Sequence, residues 1–158
     1  MPESVIPHRL MIPSSQKYLK KVVAFVEDHA QRAGFSEDAI VDIAISTSEA
    51  VNNAIIHGNR KDEKKKVEIL VAVEPDRIVI RVRDEGTCFI PAHTCDPLNP
   101  ENLMKCSGRG ILIQQALMDG VAFRAAPHGG TEVELSKRLS VASSGRKKNT
   151  SKDHTGDS

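Results

Sequence analysis

Aromatic residues are scarce in this chain of 158 residues. Trp is absent, and one Tyr and four Phe bring the aromatic share to only 3%. Proteins that hold single-stranded nucleic acid stack bases on aromatic rings, so this composition argues against such a platform. The 22 basic and 21 acidic residues leave a net charge near +1, which gives no bulk attraction to nucleic acid or to a membrane surface. We therefore expect an aliphatic core, no direct nucleic-acid partner and no membrane partner.

Cysteines and long apolar runs are also few. Three cysteines without regular spacing do not build a disulfide framework. The start of the chain, MPESVIPHRLMIP, lacks the charged region and long apolar stretch of a secretory leader. The longest apolar runs, such as 22–26 and 111–113, are far too short to span a membrane. These features predict a cytoplasmic protein, and the length suits one compact domain with tails.

The first half of the chain shows helical periodicity. Residues 5 to 12 are typical of a short entry strand, and Ser14 and Ser15 are N-cap candidates for a helix over 16–32 that stops at Gly34. Ser36 then begins a second helix that continues to about residue 57. One stripe of this second helix is apolar and is expected to pack on a sheet.

The second half of the chain alternates with period two. Residues 67–73 and 77–84 predict a β-hairpin, and a second hairpin is expected to pair 121–125 with 131–135. Between them, a short helix over 110–119 is predicted to end at Gly120. Residues 85 to 107 show little periodicity, and a connection of this length in a compact domain is usually functional, so we interpret it as a lid. The folded domain is expected to cover 1–139, and the basic, Ser-rich segment 140–158 is expected to be disordered because it has almost no apolar content.

The end of the second helix carries an unusual polar row. Glu49 and Asn53 are spaced i, i+4, so their side chains lie one above the other, and His57 continues the row. Such a pair is usually a solvated face, but residues 39 to 57 include no Lys or Arg, and Ile45 and Ile56 flank the pair. These features fit the wall of a cavity better than a solvated face of the helix. A carboxylate can deprotonate a hydroxyl, and an amide oxygen is a hard ligand suited to Mg²⁺.

Polar groups at three other places are expected to converge on the same cavity. Strand parity puts Asp84 on the buried side with Ile80 and Val82, although an Asp before Gly86 is often only a turn residue. Parity likewise turns the Thr131 hydroxyl inward. The stretch SGRGILI, residues 107–113, places glycines at a helix start, where free backbone N–H groups favour a phosphate, but alone this signal is weak.

Taken in order, the stretches EAVNNAIIHGN, DEGTCF, GRGILI and GGTEV resemble the N box and the three glycine boxes of the GHKL ATP-binding family. The resemblance covers roughly residues 5 to 136 and is greatest to anti-sigma-factor serine kinases of the RsbW type. It implies an α+β fold, the Bergerat fold. This is a two-layer α/β sandwich with a mixed, mostly antiparallel sheet covered on one face by helices.

The resemblance also implies residue roles. Glu49 resembles the catalytic base, Asn53 the magnesium ligand, and Asp84 the carboxylate that accepts from the adenine amino group. The other implied ATP-binding positions are Gly86, which leaves room for the base, Gly108, Arg109 and Gly110 at the phosphates, and Thr131 beside Asp84. One departure is Cys88, which stands where the second glycine of the first glycine box belongs and puts the mobility of the lid in doubt.

The implied function is an anti-sigma factor and ATP-dependent serine/threonine kinase that uses ATP and Mg²⁺. Such a protein sequesters a sigma factor and phosphorylates an anti-anti-sigma protein, and the resemblance suggests a homodimer. An alternative is a non-catalytic, ATP-gated partner-switching module, against which Glu49 weighs. A zinc site in the lid formed by Cys88, His93, Cys95 and Cys106 is a further alternative, but paired cysteine knuckles are missing. A full sensor histidine kinase is not expected, because the chain is too short.

Overall fold

The computed structural model describes residues 6–86, 110–127 and 129–139. Residues 87–107 of the predicted lid, Gly108, Arg109, the four candidate zinc ligands and the predicted tail over 140–158 lie outside these residues. The elements, in chain order, are β1 (His8–Pro13), a 3₁₀ turn (Gln16–Tyr18), α1 (Leu19–Ala33), α2 (Glu37–Asn53), a π-helical turn (Ala54–Gly58), β2 (Lys66–Glu74), β3 (Arg77–Arg83), α3 (Gly110–Leu117), β4 (Gly120–Ala125) and β5 (Thr131–Arg138).

The five described strands form one sheet in the order β1-β2-β3-β5-β4, and every neighbouring pair is antiparallel. Ile69 of β2, Ile80 of β3 and Leu135 of β5 are fully buried in the core that also holds the buried stripes of α1 and α2. Helices thus cover one face of the sheet. The α+β two-layer fold expected from the sequence is confirmed.

The helix starts and stops follow the local signals at the first two helices. Gly34 ends α1 with a φ of 97°, a left-handed conformation that favours glycine, and its N–H donates to Ala30 and Gln31 carbonyls. Ser36 caps α2, because its hydroxyl accepts from the Ala39 N–H at 3.2 Å. Both predicted boundaries are confirmed.

The prediction that Gly120 ends the third helix is wrong. Helix α3 stops at Leu117, and Gly120 is the first residue of β4. The Asp119 N–H already donates to the Ser136 carbonyl at 2.9 Å, so the chain joins β5 directly. A Cβ on Gly120 would lie 2.5 Å from the Ser136 hydroxyl, so a larger residue there would require that side chain to rotate away.

Helix α2 is the central helix of the domain. Together with the π-helical turn it covers 22 residues, Glu37–Gly58, and has a mean hydropathy of 1.2, which is long and apolar enough to cross a membrane by composition alone. Its Ile43, Val51 and Ile55 are completely buried in the core shared with the sheet. This burial is the environment of a core helix in a folded domain, and it accounts for the hydropathy.

The sheet face opposite the helices carries an ion-pair network at the start of β5. Glu132 is almost fully buried, and its carboxylate lies 2.7 Å from Arg83 Nε and 3.2 Å from Arg124 Nη1. Glu68 adds a second carboxylate to Arg83 at 3.2 Å. A buried charge is tolerated when it is paired in this way. The network fixes β5 against β3 beside Thr131, which faces the helices.

Candidate functional site

A cleft opens between the end of α2 and the sheet. The empty space in it, counted out to the open solvent, is about 490 Å³. The residues that line it come from the end of α2, the π-helical turn and strands β3, β4 and β5: Ala50, Asn53, Ala54, His57, Gly58, Val82, Asp84, Phe123, Thr131 and Val133. Its wall is mostly apolar with a few polar groups, which suits a flat, partly polar ring.

Asp84 is the buried carboxylate of the cleft and is 7% exposed. It follows β3 directly, and its Oδ1 accepts from the Gly86 N–H at 3.0 Å and from the Thr131 N–H at 3.1 Å. The Asp84 N–H donates in turn to the Thr131 carbonyl at 3.0 Å. Burial raises the pKa of Asp84 above its ordinary value, and the two N–H donors partly oppose this shift. A carboxylate kept in such a place is typical of a binding site.

Three glycines surround this carboxylate. A Cβ on Gly58 would overlap the Asp84 carboxylate, and a Cβ on Gly86 would overlap the Gly58 carbonyl oxygen. Gly130 has a φ of 89°, and a Cβ there would overlap the Asp84 carbonyl oxygen. Only glycine therefore allows these segments to meet. Gly86 was predicted from the sequence, whereas Gly58 and Gly130 were not, although they stand in the motifs EAVNNAIIHGN and GGTEV.

Asn59 holds the cleft segments together and was also missed. Its side chain is buried, with Nδ2 donating to Ser14 Oγ at 2.7 Å and to the Lys66 carbonyl at 3.0 Å. Its Oδ1 accepts from the Glu85 N–H at 2.7 Å, directly beside Asp84. One amide thus joins the end of β1, the start of β2 and the loop after β3. An Asn after Gly in a polar stretch is commonly a turn residue, so the sequence carried no clear signal of this role.

We expect Asn59→Ala to lower the free energy of unfolding by about 1–3 kcal/mol, because it removes three hydrogen bonds of a buried amide, including the buried bond to Ser14 Oγ. Urea denaturation measures this change. The matched control is Asn52→Ala, since within the described residues the Asn52 side chain accepts from Gln16 alone, in an exposed setting, and its loss should cost within about 0.5 kcal/mol. Equal effects of the two substitutions would contradict the role assigned to Asn59.

The structure brings together most of the predicted site residues that it describes. Asp84, Thr131 and Asn53 all line the cleft, and Gly86 lies against Asp84. Glu49 is half-buried on α2 one turn before Asn53 and is not among the residues that line the cleft. Gly110 is the first residue of α3. Gly108, Arg109 and Cys88 fall outside the described residues.

A two-layer α+β domain with a glycine-enclosed carboxylate at the end of its sheet belongs to the class of small-molecule-binding domains. A family model described as "Histidine kinase-like ATPase domain" matches residues 12–137. The chain therefore belongs to the histidine kinase-like ATPase domain family, the GHKL family that the motifs predicted, and it is an ATP-binding domain.

Two relatives are similar over most of their length. The chain is 30% identical over 142 residues to serine-protein kinase RsbW of Bacillus subtilis strain 168. This match covers 82% of this chain and 84% of the relative. It is 36% identical over 107 residues to the anti-sigma F factor of the same organism, covering 65% and 72% of the two chains.

Two solved structures share the fold of this chain. The RsbU and RsbW domains of a Mycobacterium tuberculosis protein match with a TM-score of 0.60 and 20% identity, covering 85% of this chain and 32% of that one. The catalytic domain of histidine kinase ThkA matches with a TM-score of 0.54 and 13% identity, covering 84% and 98%. At these identities the likeness shows the fold alone.

Proposed function

We propose that this chain is an anti-sigma factor and an ATP-dependent serine/threonine protein kinase. In this function it sequesters a sigma factor and phosphorylates a hydroxyl of an anti-anti-sigma protein. The observation that carries the proposal is the Asp84 carboxylate enclosed by glycines in an ATPase-domain fold. Similarity to RsbW over about four fifths of the chain supports the kinase and anti-sigma activities, and the anti-sigma F factor relative supports the sigma-factor partner.

In the proposed nucleotide site, Asp84 accepts from the adenine amino group. Its Oδ1 is held by two backbone N–H groups, so the carboxylate is fixed before the nucleotide arrives and loses little freedom on binding. Gly86 is proposed, from the resemblance to the first glycine box, to leave room for the base. Gly58 lets the turn after α2 approach the Asp84 carboxylate, and Thr131 lies beside that carboxylate. Gly108, Arg109 and Gly110, at and before the start of α3, are proposed to contact the phosphates.

The proposed chemical step depends on positioning and on charge. The substrate hydroxyl oxygen forms a bond to the γ-phosphorus while the bond between that phosphorus and the β,γ-bridging oxygen breaks. Glu49 accepts the proton of the hydroxyl. It lies one turn from Asn53 and outside the cleft lining, which is the place expected for a base that faces the attacking group and not the adenine. ADP then leaves with the electron pair of the broken bond.

Asn53 is proposed to hold the magnesium ion that neutralises phosphate charge. The residue fits because its side chain lines the cleft with an amide, whose oxygen is a suitable Mg²⁺ ligand. We expect Asn53→Ala to raise the Mg²⁺ concentration at half-maximal ATP binding on the order of tenfold. Loss of a group that only supports a metal ligand already lowers metal affinity by about 10–100-fold. A magnesium titration followed by calorimetry measures this. Asn52→Ala is the neighbouring control, and an unaltered titration for Asn53→Ala would contradict the ligand role.

The direct test of the proposed function is incubation of the chain with [γ-³²P]ATP and candidate anti-anti-sigma proteins encoded nearby. We expect label on a serine or threonine of one candidate, and retention of a sigma factor by the unreacted chain. ATP and sigma-factor binding without transfer to any candidate would instead indicate the non-catalytic, ATP-gated binding module.

Three further properties belong to the same proposal. The chain acts as a homodimer in the cytoplasm, its kinase domain covers residues 1–139, and residues 140–158 form a tail outside that domain. Sedimentation equilibrium at several protein concentrations tests the homodimer, because a dimer has twice the mass of a monomer.

A further inference from the structure

Helix α2 exposes two aliphatic side chains next to the proposed base. Val41 is 52% exposed and Ile45 is 41% exposed, and they precede Glu49 by eight and four residues. At this spacing the three side chains lie along one face of the helix. Single exposed apolar residues are ordinary, but only four large apolar side chains are exposed in the described part of the chain, and two of them stand in this row. We name the row Val41, Ile45 and Glu49 the α2 outer surface.

We propose that the α2 outer surface is the docking site of the protein substrate, with Val41 and Ile45 as its apolar centre and the phosphoacceptor hydroxyl at Glu49. This inference rests on the proposed kinase function. It specifies where the substrate protein binds on this chain and that the contact is apolar. The partner must offer an apolar patch close to its serine or threonine.

The size of a protein interface supports this placement. A partner that brings a hydroxyl within hydrogen-bond distance of Glu49 and binds specifically covers about 800 Å² of this chain, which is a disc of roughly 16 Å radius. Helices rise 1.5 Å per residue, so Ile45 and Val41 lie about 6 and 12 Å from Glu49. A disc of this size centred on Ile45 therefore covers Val41 and Glu49 as well, and it places the two aliphatic side chains near the centre of the interface. Exposed apolar side chains near the centre of an interface contribute more to binding than those at its rim.

Charge around the row favours a substrate over a second copy of the chain. Glu37 and Asp38, both exposed, form the first turn of α2, and the helix has no basic residue. Asp42 is paired with Lys137 at 3.5 Å. A two-fold dimer through this row would place the same row on both subunits, and α2 offers these acidic groups no basic partner. A substrate with basic residues at the rim of its apolar patch has the complementary charge.

The test uses Ile45→Gln, Val41→Gln and the double variant in the full chain. Gln keeps helix propensity and adds no charge beside Glu49, so the base itself is left unperturbed. The matched control is Met11→Gln, because Met11 is 42% exposed and lies on β1, where its neighbour Ile12 faces the core. Steady-state phosphorylation is measured with varied substrate protein and with varied ATP, and thermal melting checks that each variant is folded.

We expect the double variant to raise the KM for the substrate protein at least about tenfold, while kcat and the KM for ATP stay within about twofold and Met11→Gln changes neither KM. An unchanged substrate KM in an active double variant would overturn the docking site alone. A raised KM for ATP would assign the row to the nucleotide site. Loss of the dimer in sedimentation would assign the row to contact with a second copy of the chain. Either result would overturn the inference. No transfer by the parental chain would overturn the proposed kinase function as well.

Discussion

Asp84→Ala is expected to reduce ATP binding below what calorimetry can measure. The substitution removes the acceptor for the adenine amino group in a buried setting, which costs about 1–3 kcal/mol or more, and each 1.4 kcal/mol is a factor of ten in affinity. The Gly86 and Thr131 N–H groups both lose Asp84 Oδ1 as their acceptor, so the loop that shapes the cleft loses its anchor. Both effects weaken the contact between this part of the cleft and the adenine. Parental ATP affinity in a folded variant would contradict the adenine role of Asp84.

Asp84→Asn is the companion variant, because it keeps the shape of the side chain and one acceptor oxygen. We expect it to fold and to bind ATP more weakly than the parent. Burial raises the pKa of Asp84, so the parental carboxylate gains a proton, and ATP affinity falls, as pH drops through that raised value. The Asn side chain does not titrate. A pH profile of affinity that is the same in both proteins would show that the charge of Asp84 does not contribute.

The strands and their buried faces could be predicted because alternation is a local signal. Ile78, Ile80 and Val82 share a face in the sequence, and all three are buried in the structure. The same parity placed Asp84 on that face, and it is buried there. Strand geometry fixes the direction of every second side chain, so one hydrophobic run was enough to orient the carboxylate.

The enclosure of that carboxylate could not be predicted, because it depends on contacts between distant segments. Thr131 meets Asp84 across 47 positions of the chain, and Asn59 reaches Ser14 across 45. Gly58 meets Asp84 from a π-helical turn after Asn53, and sequence periodicity does not distinguish such a turn from ordinary helix. Gly120 was interpreted as a helix stop because glycine is common at helix ends. In the structure it is the first residue of β4 and pairs with Ser136 of β5.

Glu49→Ala is expected to lower the phosphorylation rate by about 10²–10⁴, the usual contribution of a positioned general base. Glu49 lies on the outer side of α2 and does not line the cleft that holds Asp84, so its loss should leave the ground-state contacts to ATP in place. ATP affinity is therefore expected to stay within about twofold. This combination of a lower kcat with an unchanged ATP affinity indicates an interaction made only in the transition state.

The control for this variant is Glu27→Ala, since Glu27 is a half-buried carboxylate on the neighbouring helix α1 and should leave the rate unchanged. Retention of the sigma factor by Glu49→Ala separates the two proposed activities, because sequestration needs the surface of the chain and not proton transfer. Single-turnover assays with saturating ATP and substrate isolate the chemical step from product release. Phosphorylation by Glu49→Ala at the parental rate would mean that another group accepts the proton, and the half-buried carboxylate at the end of α2 would then have no part in the reaction.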